Sequence, residues 1–418
     1  MNRYVDRATN LCHGALLAAA AAYLALQPTT IATYGRSVTF GLAALFALIL
    51  VAAALSGRGE RIPSPGIAVL APLGAWCLWN AASLWWSVHP VYSAGELRRE
   101  IAWGALMMTA FYVAARNDFA WRTFVVTALG SFALLAAFAV GLAVGPGGWD
   151  AARWHAGVGP FSTYLVLVAP LLLTLLAPAP AGFGGDRYLV VFGIVLLALL
   201  LAAARIADNR MVWLALAAVF GVMAALAALR WRTAVSRAPM RWLAPLVALL
   251  VVIGLLFAQT AREKAKAHFP PQTSVAQTFA DDPRLQLWEE TLERIQERPW
   301  TGYGFGKSIL SQELQSDLHD PMLSHAHNIF MSQWLQTGAV GLGAFVALLG
   351  ALLWRYAQFL RSRDDSLALL GLVGIGLVVG FLVKNLTDDF LFRSNGKEFW
   401  ALNAAVLGLG MRLRSTCG

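Results

Sequence analysis

Charge is what this chain has little of. Only 13% of its 418 residues are Asp, Glu, Lys or Arg, whereas 58% are hydrophobic; a soluble protein carries about 25% charged residues. A water-soluble globular domain is thereby excluded. Cysteine is scarcer still. Cys12, Cys77 and Cys417 are scattered near or within apolar runs or at the terminus, which points to neither a disulfide framework nor a thiolate zinc site. Also missing are the period-two alternation of barrel strands, any visible repeat of 20–50 residues, any low-complexity linker and any nucleic-acid signature.

What the chain does have is apolar runs of about 17 to 25 residues, the length at which an α-helix crosses a bilayer. Twelve spans are expected, at 11–27, 34–55, 66–86, 100–116, 121–144, 158–178, 188–206, 210–229, 242–260, 327–356, 366–385 and 398–413. The fold class is therefore an all-α polytopic membrane protein of about twelve transmembrane helices. The first run follows Arg3 and Arg7 as in a signal peptide, yet a second span comes next and no soluble domain does, so it is expected to be retained. The organisation is spans one to nine in 1–260, one long loop at 261–326, and spans ten to twelve in 327–418.

Short-loop arginines such as Arg58, Arg61, Arg230, Arg232, Arg361 and Arg363 collect on the side that holds both termini. The acids Asp281, Asp282, Glu289, Glu290, Glu293, Glu297, Asp388 and Asp389 fall on the other. Basic short loops stay cytoplasmic, so both termini are expected inside and the long loop outside, in the periplasm of a Gram-negative cell. The net charge of +9 is then mostly topology, and its partner is anionic lipid of the inner leaflet. Trp76, Trp79, Trp85, Trp86, Trp149 and Trp154 read as interfacial anchors.

Within the loop, Asp282-Pro283 offers an N-cap and a proline at the first helical position. Leu285, Trp288, Leu292 and Ile295 follow as one apolar stripe. This amphipathic helix should lie on the membrane surface or roof a cavity. It stops before Pro299, and Thr301-Gly302-Tyr303-Gly304-Phe305-Gly306 reads as a tight turn.

The loop closes on His325-Ala326-His327-Asn328, just where a hydrophobic span opens. A titratable pair at such a junction is costly to keep without a function. If helical, the two rings would point about 200° apart, so that one of them faces a given site. A neutral imidazole suits removal of a proton from a hydroxyl; the plainer reading is a capping or interfacial histidine. Arg284, in the first turn of the amphipathic helix, could grip phosphate in a bidentate fashion or pair with Asp281. Arg210, after Asp208 and Asn209 at an outer turn, could do the same or only snorkel, as could Arg205. Asp317, His319, Asp320, His325 and His327 lie within eleven residues, but their spacing matches no ligand motif, so no metal is expected. Lys384, Asp388 and Asp389 either line the same cavity or pair with one another.

Taken together, these residues resemble the O-antigen ligase and polymerase superfamily. The resemblance rests on a long outer loop before the last three spans and on the pattern His-Asn-x9-Gly-x-x-Gly, here His327-Asn328, Gly338 and Gly341. Pro299-x-x-Gly302-x-Gly304-x-Gly306 is similar to the family's glycine-rich stretch, and Arg284 and Arg210 stand where the family has arginines. It implies a glycan carried on undecaprenyl diphosphate and joined to an acceptor outside the inner membrane, with no nucleotide sugar, metal or other cofactor. For ligases the acceptor is lipid A–core oligosaccharide, for polymerases another lipid-linked repeat, and for related enzymes a protein hydroxyl. Arg210 and Arg284 would clamp the diphosphate. His327 would act as the base, with inversion at the anomeric carbon, and His325 would orient or replace it. Asn328, Tyr303, Gly304, Gly306, Arg205, Lys384 and Asp389 are expected around the substrate. A transporter is the competing class, but transporters hold their polar residues near mid-bilayer in broken helices of repeated halves. Here the polar candidates sit at the boundary.

Overall fold

A computed structural model describes residues 2–146, 148–176, 187–232, 239–268, 283–319 and 324–417. The described chain is helical and the expected all-α membrane architecture holds. Ten helices among the described residues are long and apolar enough to cross a membrane: Arg7–Leu26, Thr33–Leu55, Ile67–Trp85, Asp118–Val144, Val158–Leu176, Arg187–Ile206, Arg210–Arg230, Leu243–Lys266, Ile329–Leu360 and Asp365–Lys384. Two further helical stretches stand where the fourth and twelfth spans were expected. The fourth is broken by a π-helical piece, Leu97–Ala102, between Pro90–Glu96 and Trp103–Ala114. The last, Arg393–Cys417, buries Asn395, Glu398, Asn403 and Arg412, which lowers its hydropathy below that of a simple span. These two run parallel: Gly104 abuts Trp400 and Gly408 abuts the backbone of Tyr112, the same offset at both points.

In chain order the helices used below are α1 (Asn2–Leu26), α2 (Thr33–Leu55), α3 (Ile67–Ala82), α4 (Pro90–Glu96), α5 (Trp103–Ala114), α6 (Asp118–Val144), α7 (Ala151–His155), α8 (Val158–Leu176), α9 (Arg187–Ile206), α10 (Arg210–Arg230), α11 (Pro239–His268), α12 (Pro283–Glu297), α13 (Ser311–Leu318), α14 (Ile329–Leu360), α15 (Asp365–Lys384) and α16 (Arg393–Cys417). α8 and α15 are the most enclosed candidate spans. α15 owes this to small residues, because Gly374 lies against Tyr356, Gly376 against Met223 and Gly380 against Val219. In lipid, close backbone approach of this kind takes over the role that the hydrophobic effect has in water.

At the end of the bundle that carries the long loop, a second and smaller core forms from Leu287, Ile295, Tyr303, Ile309, Leu310, Leu314 and Leu335. It exists because α14 is kinked. Gly338 adopts φ 68° and ψ −175° inside the helix, which releases the carbonyls of the preceding turn. Each finds a new donor. Tyr303 N–H donates to Leu335 O (3.0 Å), Gly304 N–H to Gln336 O (2.8 Å) and Trp79 Nε1 to Thr337 O (2.8 Å), while Ala339 N–H reaches Pro299 O (2.8 Å). The glycine-rich turn is thus a clasp on the kink. Its fit is tight, since a Cβ on Gly302, at φ 66°, would lie 2.6 Å from the backbone of Gln336.

The clasp corrects two sequence readings. α12 turns Leu287, Thr291 and Ile295 inward and leaves Leu285 and Leu292 exposed, so the buried stripe is rotated from the expected one. Packing on Tyr303 and Leu335 selects the i, i+4, i+8 face. Trp76 is not an interfacial anchor but is buried against Phe345 and Trp400, with Nε1 donating to Gln333 Oε1 (3.2 Å). Pro283 does open α12, whereas Asp282, its expected cap, lies outside the described residues, as do Asp281 and Asp320.

Gly338→Ala should destabilise the fold by about 1–3 kcal/mol, because its Cβ would overlap the Trp300 backbone and its φ is positive. Gly350→Ala, with nothing within 4 Å of the new Cβ, should leave the melting temperature in detergent unchanged. Equal melting of the two variants would show that the kink is not held by the clasp.

Candidate functional site

The segment 324–328 is not helical. His327 has φ 46°, a left-handed conformation that histidine tolerates better than most residues, and α14 starts only at Ile329, two residues later than the expected span. The two imidazoles therefore do not diverge. Their ring centroids are 3.9 Å apart with planes tilted by 33°. Asn328 caps α14, its Oδ1 accepting from Phe330 N (2.9 Å) and Met331 N (3.2 Å), while its Nδ2 donates to Leu386 O (2.9 Å). Ile329 N–H reaches Asn385 O (3.0 Å). The start of α14 is thus fastened to the turn that leaves α15.

That turn carries the charges. Lys384, fully buried, donates to Asp388 Oδ2 at 2.5 Å, and Asp388 Oδ1 stands 3.6 Å from His327 Nδ1. The separation exceeds a hydrogen bond, as active-site contacts often do before substrate binds. Burial pushes the Asp388 carboxyl up, but Lys384 and then His327 outweigh it and hold it below the usual carboxylate range. Burial, followed by the nearby Lys307 and His327, depresses His325 to about 2, so His325 stays neutral. Its Nδ1 faces Ser324 Oγ at 3.2 Å. Only His327 pairs with a carboxylate.

Lys307, next to Gly306 of the clasp, meets the same turn. Its Nζ donates to the Asp389 backbone carbonyl and lies 4.8 Å from the Phe390 ring. Burial lowers its pKa, with Asp389 and Asp388 pulling the other way. The Asp389 carboxyl is itself buried and raised by that burial, with Lys307 the main opposing charge. α12 closes the site: Trp288 Nε1 donates to Ala326 O (2.9 Å), and Arg284, one helical turn earlier on the same face, is near enough to act electrostatically on His325, Lys384 and Asp388.

Arg210 reaches this end by a different route. Asn209 Oδ1 caps α10 through Met211 N (2.9 Å). α10 and α15 are antiparallel, joined at the far end by Arg230 and Asp365 (2.9 Å) and meeting again at Met223–Gly376 and Val219–Gly380. Extending that register places Arg210 level with the turn that bears Asp388 and Asp389. The remaining expected site residues serve the fold or other ions. Arg205 is paired with Glu263 at 2.5 Å on α11. Tyr303 donates from its hydroxyl to Glu297 Oε2 (2.6 Å) and packs in the small core, while Gly304 and Gly306 lie against Ser87 and Tyr92 with Gly306 N donating to Gln336 Oε1 (2.9 Å). Asp317 is bound by Arg294 at 2.6 Å, away from the imidazoles. The expected pairing of Lys384 with Asp388 is present, together with the approach of Asp388 to His327, whereas Lys307 was not foreseen; its only signal was a lysine placed at the end of the glycine-rich turn.

The match to known proteins covers part of this geometry. Residues 192–346 match the family described as O-antigen ligase. Over this stretch the chain is similar to the O-antigen ligase family. The matched stretch holds Arg210, Arg284, both histidines and the clasp on Gly338, whereas Lys384, Asp388 and Asp389 lie beyond it. The chain is also similar to the general O-oligosaccharyltransferase of Acinetobacter baylyi, 30% identical over 99 residues. The alignment spans 21% of this chain and 17% of that protein.

Lys384 and Asp388 constitute a buried pair, and removing one partner of such a pair costs about 3–5 kcal/mol because a buried charge is left alone, whereas replacing both is often neutral. Lys384→Met should therefore melt well below wild type and Lys384→Met/Asp388→Leu should recover much of the loss, measured by thermal unfolding in detergent. The Asp388 contribution is present above the unfolded carboxylate pKa of about 4 and is lost as pH falls toward its lower folded value, so the gap should persist at pH 5 and narrow below it. A double variant no more stable than the single would remove the pairing argument.

Proposed function

We propose that the protein transfers a glycan from undecaprenyl diphosphate to a hydroxyl of lipid A–core oligosaccharide, on the periplasmic face of the bacterial inner membrane. The observation that carries this reading is the His327–Asp388–Lys384 chain beside Arg284, within and next to the segment that matches the family. A base, a carboxylate that orients it and a cation for a leaving phosphate are what glycosyl transfer from a diphosphate requires.

The geometry supports the following steps. With Nδ1 turned to Asp388, Nε2 of His327 is left to accept the proton of the acceptor hydroxyl. The hydroxyl oxygen attacks the anomeric carbon as its bond to the phosphate oxygen breaks, and that electron pair leaves with the diphosphate. Arg284 and Arg210 receive the growing negative charge, and Asp388 stabilises the imidazolium without itself taking the proton. One displacement gives inversion. The polyprenyl tail remains between helices in lipid. No step uses a metal, and turnover is expected to survive a chelator.

A second reading, in which the acceptor is a protein hydroxyl, is favoured by the similarity to an O-oligosaccharyltransferase; a polymerase would instead use another lipid-linked repeat. The donor side is common to all three. Purified protein supplied with lipid-linked glycan and, in turn, lipid A–core, a hydroxyl-bearing protein or a second lipid-linked repeat separates them.

His327→Ala should lower transfer by about 10²–10⁴-fold. Arg284→Ala should lower it by about 10²–10³-fold. Both variants should insert and elute as wild type. Wild-type turnover by His327→Ala would remove it as the base.

Arg210→Lys should also impair transfer, because an ammonium does not reproduce the planar two-pronged grip of a guanidinium on phosphate. The expected signature is a raised donor KM with the acceptor KM unchanged. Unaltered donor kinetics would make Arg210 a boundary anchor only.

A further inference from the structure

A cavity of about 500 Å³ opens at the loop-bearing end between α1, α2, α5 and α16. Arg36, Arg393 and Lys397 line it, with Tyr23, Phe40 and Trp103 as its aromatic walls, and no carboxylate is among its lining residues. Among the described residues, none of the three cations has a salt bridge. Arg36 donates only to neutral groups: Gln27 O (3.2 Å), Ser394 Oγ (3.3 Å) and Thr33 Oγ1 (3.1 Å). Glu96, behind the wall, is held by Arg99 at 2.8 Å, and Glu100 accepts from the Arg393 backbone N–H at 2.9 Å. The start of α16 contributes Arg393, Ser394 and, one turn on, Lys397, so the positive end of that helix dipole meets the cavity as well.

Glu100, outside the lining, acts on Lys397 and Arg393 and offsets part of their charge, but one carboxylate faces three cations, and the remainder favours an anion. The cavity is built to hold one in place: buried Gln27 donates to Ser394 O (2.6 Å), and Phe40 meets Trp103 edge to face at 5.2 Å. Cations, hydroxyls and aromatic surfaces lining one cavity suit a ring that is polar at its rim, apolar on its face and phosphorylated. The cavity also adjoins the candidate site. Arg393 and Lys307 lie 5.7 Å and 5.9 Å from the same ring, that of Phe392.

We infer that this cavity seats a phosphate-bearing sugar of the acceptor glycolipid, apart from the place where the donor diphosphate is held. The inference rests on the transferase reading above. The test uses the full-length protein, Arg36→Ala/Lys397→Ala, and phosphorylated lipid A–core with and without prior phosphatase treatment. The double variant should raise the acceptor KM at least about ten-fold, equivalent to about 1.4 kcal/mol, with donor KM and kcat at saturating acceptor unchanged. Dephosphorylating the acceptor should cost wild type as much and the variant no more, as expected when both changes remove one interaction. Arg36→Lys/Lys397→Arg, which keeps the charge, should retain most of the affinity.

An unchanged acceptor KM would overturn the inference. So would an equal penalty from dephosphorylation in wild type and variant, or loss of co-purified anionic phospholipid with no kinetic effect, which would make the cavity a lipid site. Were wild type to transfer nothing to any acceptor, the transferase reading would fail by itself. The cavity would then be read by native mass spectrometry of phosphorylated lipid A, where binding that the double variant does not weaken overturns it.

Discussion

A helix that breaks where water is scarce must re-satisfy every carbonyl it releases, and the loop-bearing end of this protein is arranged around one such break. At Gly338 the α14 ladder opens, and residues 299–304 of the long loop, with Trp79 of α3, supply the missing partners. Unpaired backbone groups cost several kcal/mol each in an apolar surrounding, so the loop is tied down by the helix's own requirement. Once residues 299–306 are fixed, Tyr303 and Leu335 offer an apolar floor on which α12 packs. α12 then carries Arg284 and Trp288 to the histidines. The candidate site is downstream of a backbone hydrogen-bonding constraint.

Much of this was legible in the sequence, and the limits were physical. Apolar run length gave the spans closely, because hydrocarbon thickness acts on each helix separately. The fourth and twelfth stretches are where that logic thins: one contains a π-helical segment and the other buries polar residues against its neighbours, so their hydropathy understates their place in the bundle. The amphipathic helix was also visible, but its buried face was not. Leu285 and Leu292 look equivalent to Leu287 and Ile295 until a partner surface exists to choose between them.

Among candidate site residues, His327 and Arg284 were readable because a titratable group at a lipid boundary is conspicuous. Their relation was not. A helical wheel separates His325 from His327, whereas one left-handed residue stacks them. Asp388 could be noticed as an acid near Lys384, but only the antiparallel return of α15 beside the start of α14 brings it to the imidazole. Tyr303, Gly304 and Gly306 were read as substrate contacts because they lie in a motif. In the structure that motif is first a device for closing the kink.

The charge arrangement around His327 is the other physical feature of the site. Around His327 the buried or half-buried cations are Arg284, Lys307 and Lys384, and the acids facing them are Asp388 and Asp389. Burial raises the Asp389 carboxyl, which weakens it as a counter-ion, while Asp388 is shared between Lys384 and His327. Lys307 and Lys384 thus meet Asp389 and Asp388 in one cluster, on which Arg284 also acts. In a medium of low dielectric, charges held this close act strongly on a diphosphate brought among them. The same arrangement gives direction to the proposed reaction, because the charge that grows as the glycosidic bond breaks does so on the leaving diphosphate, among the cations. The proton moves the other way, toward the one imidazole that has a carboxylate behind it.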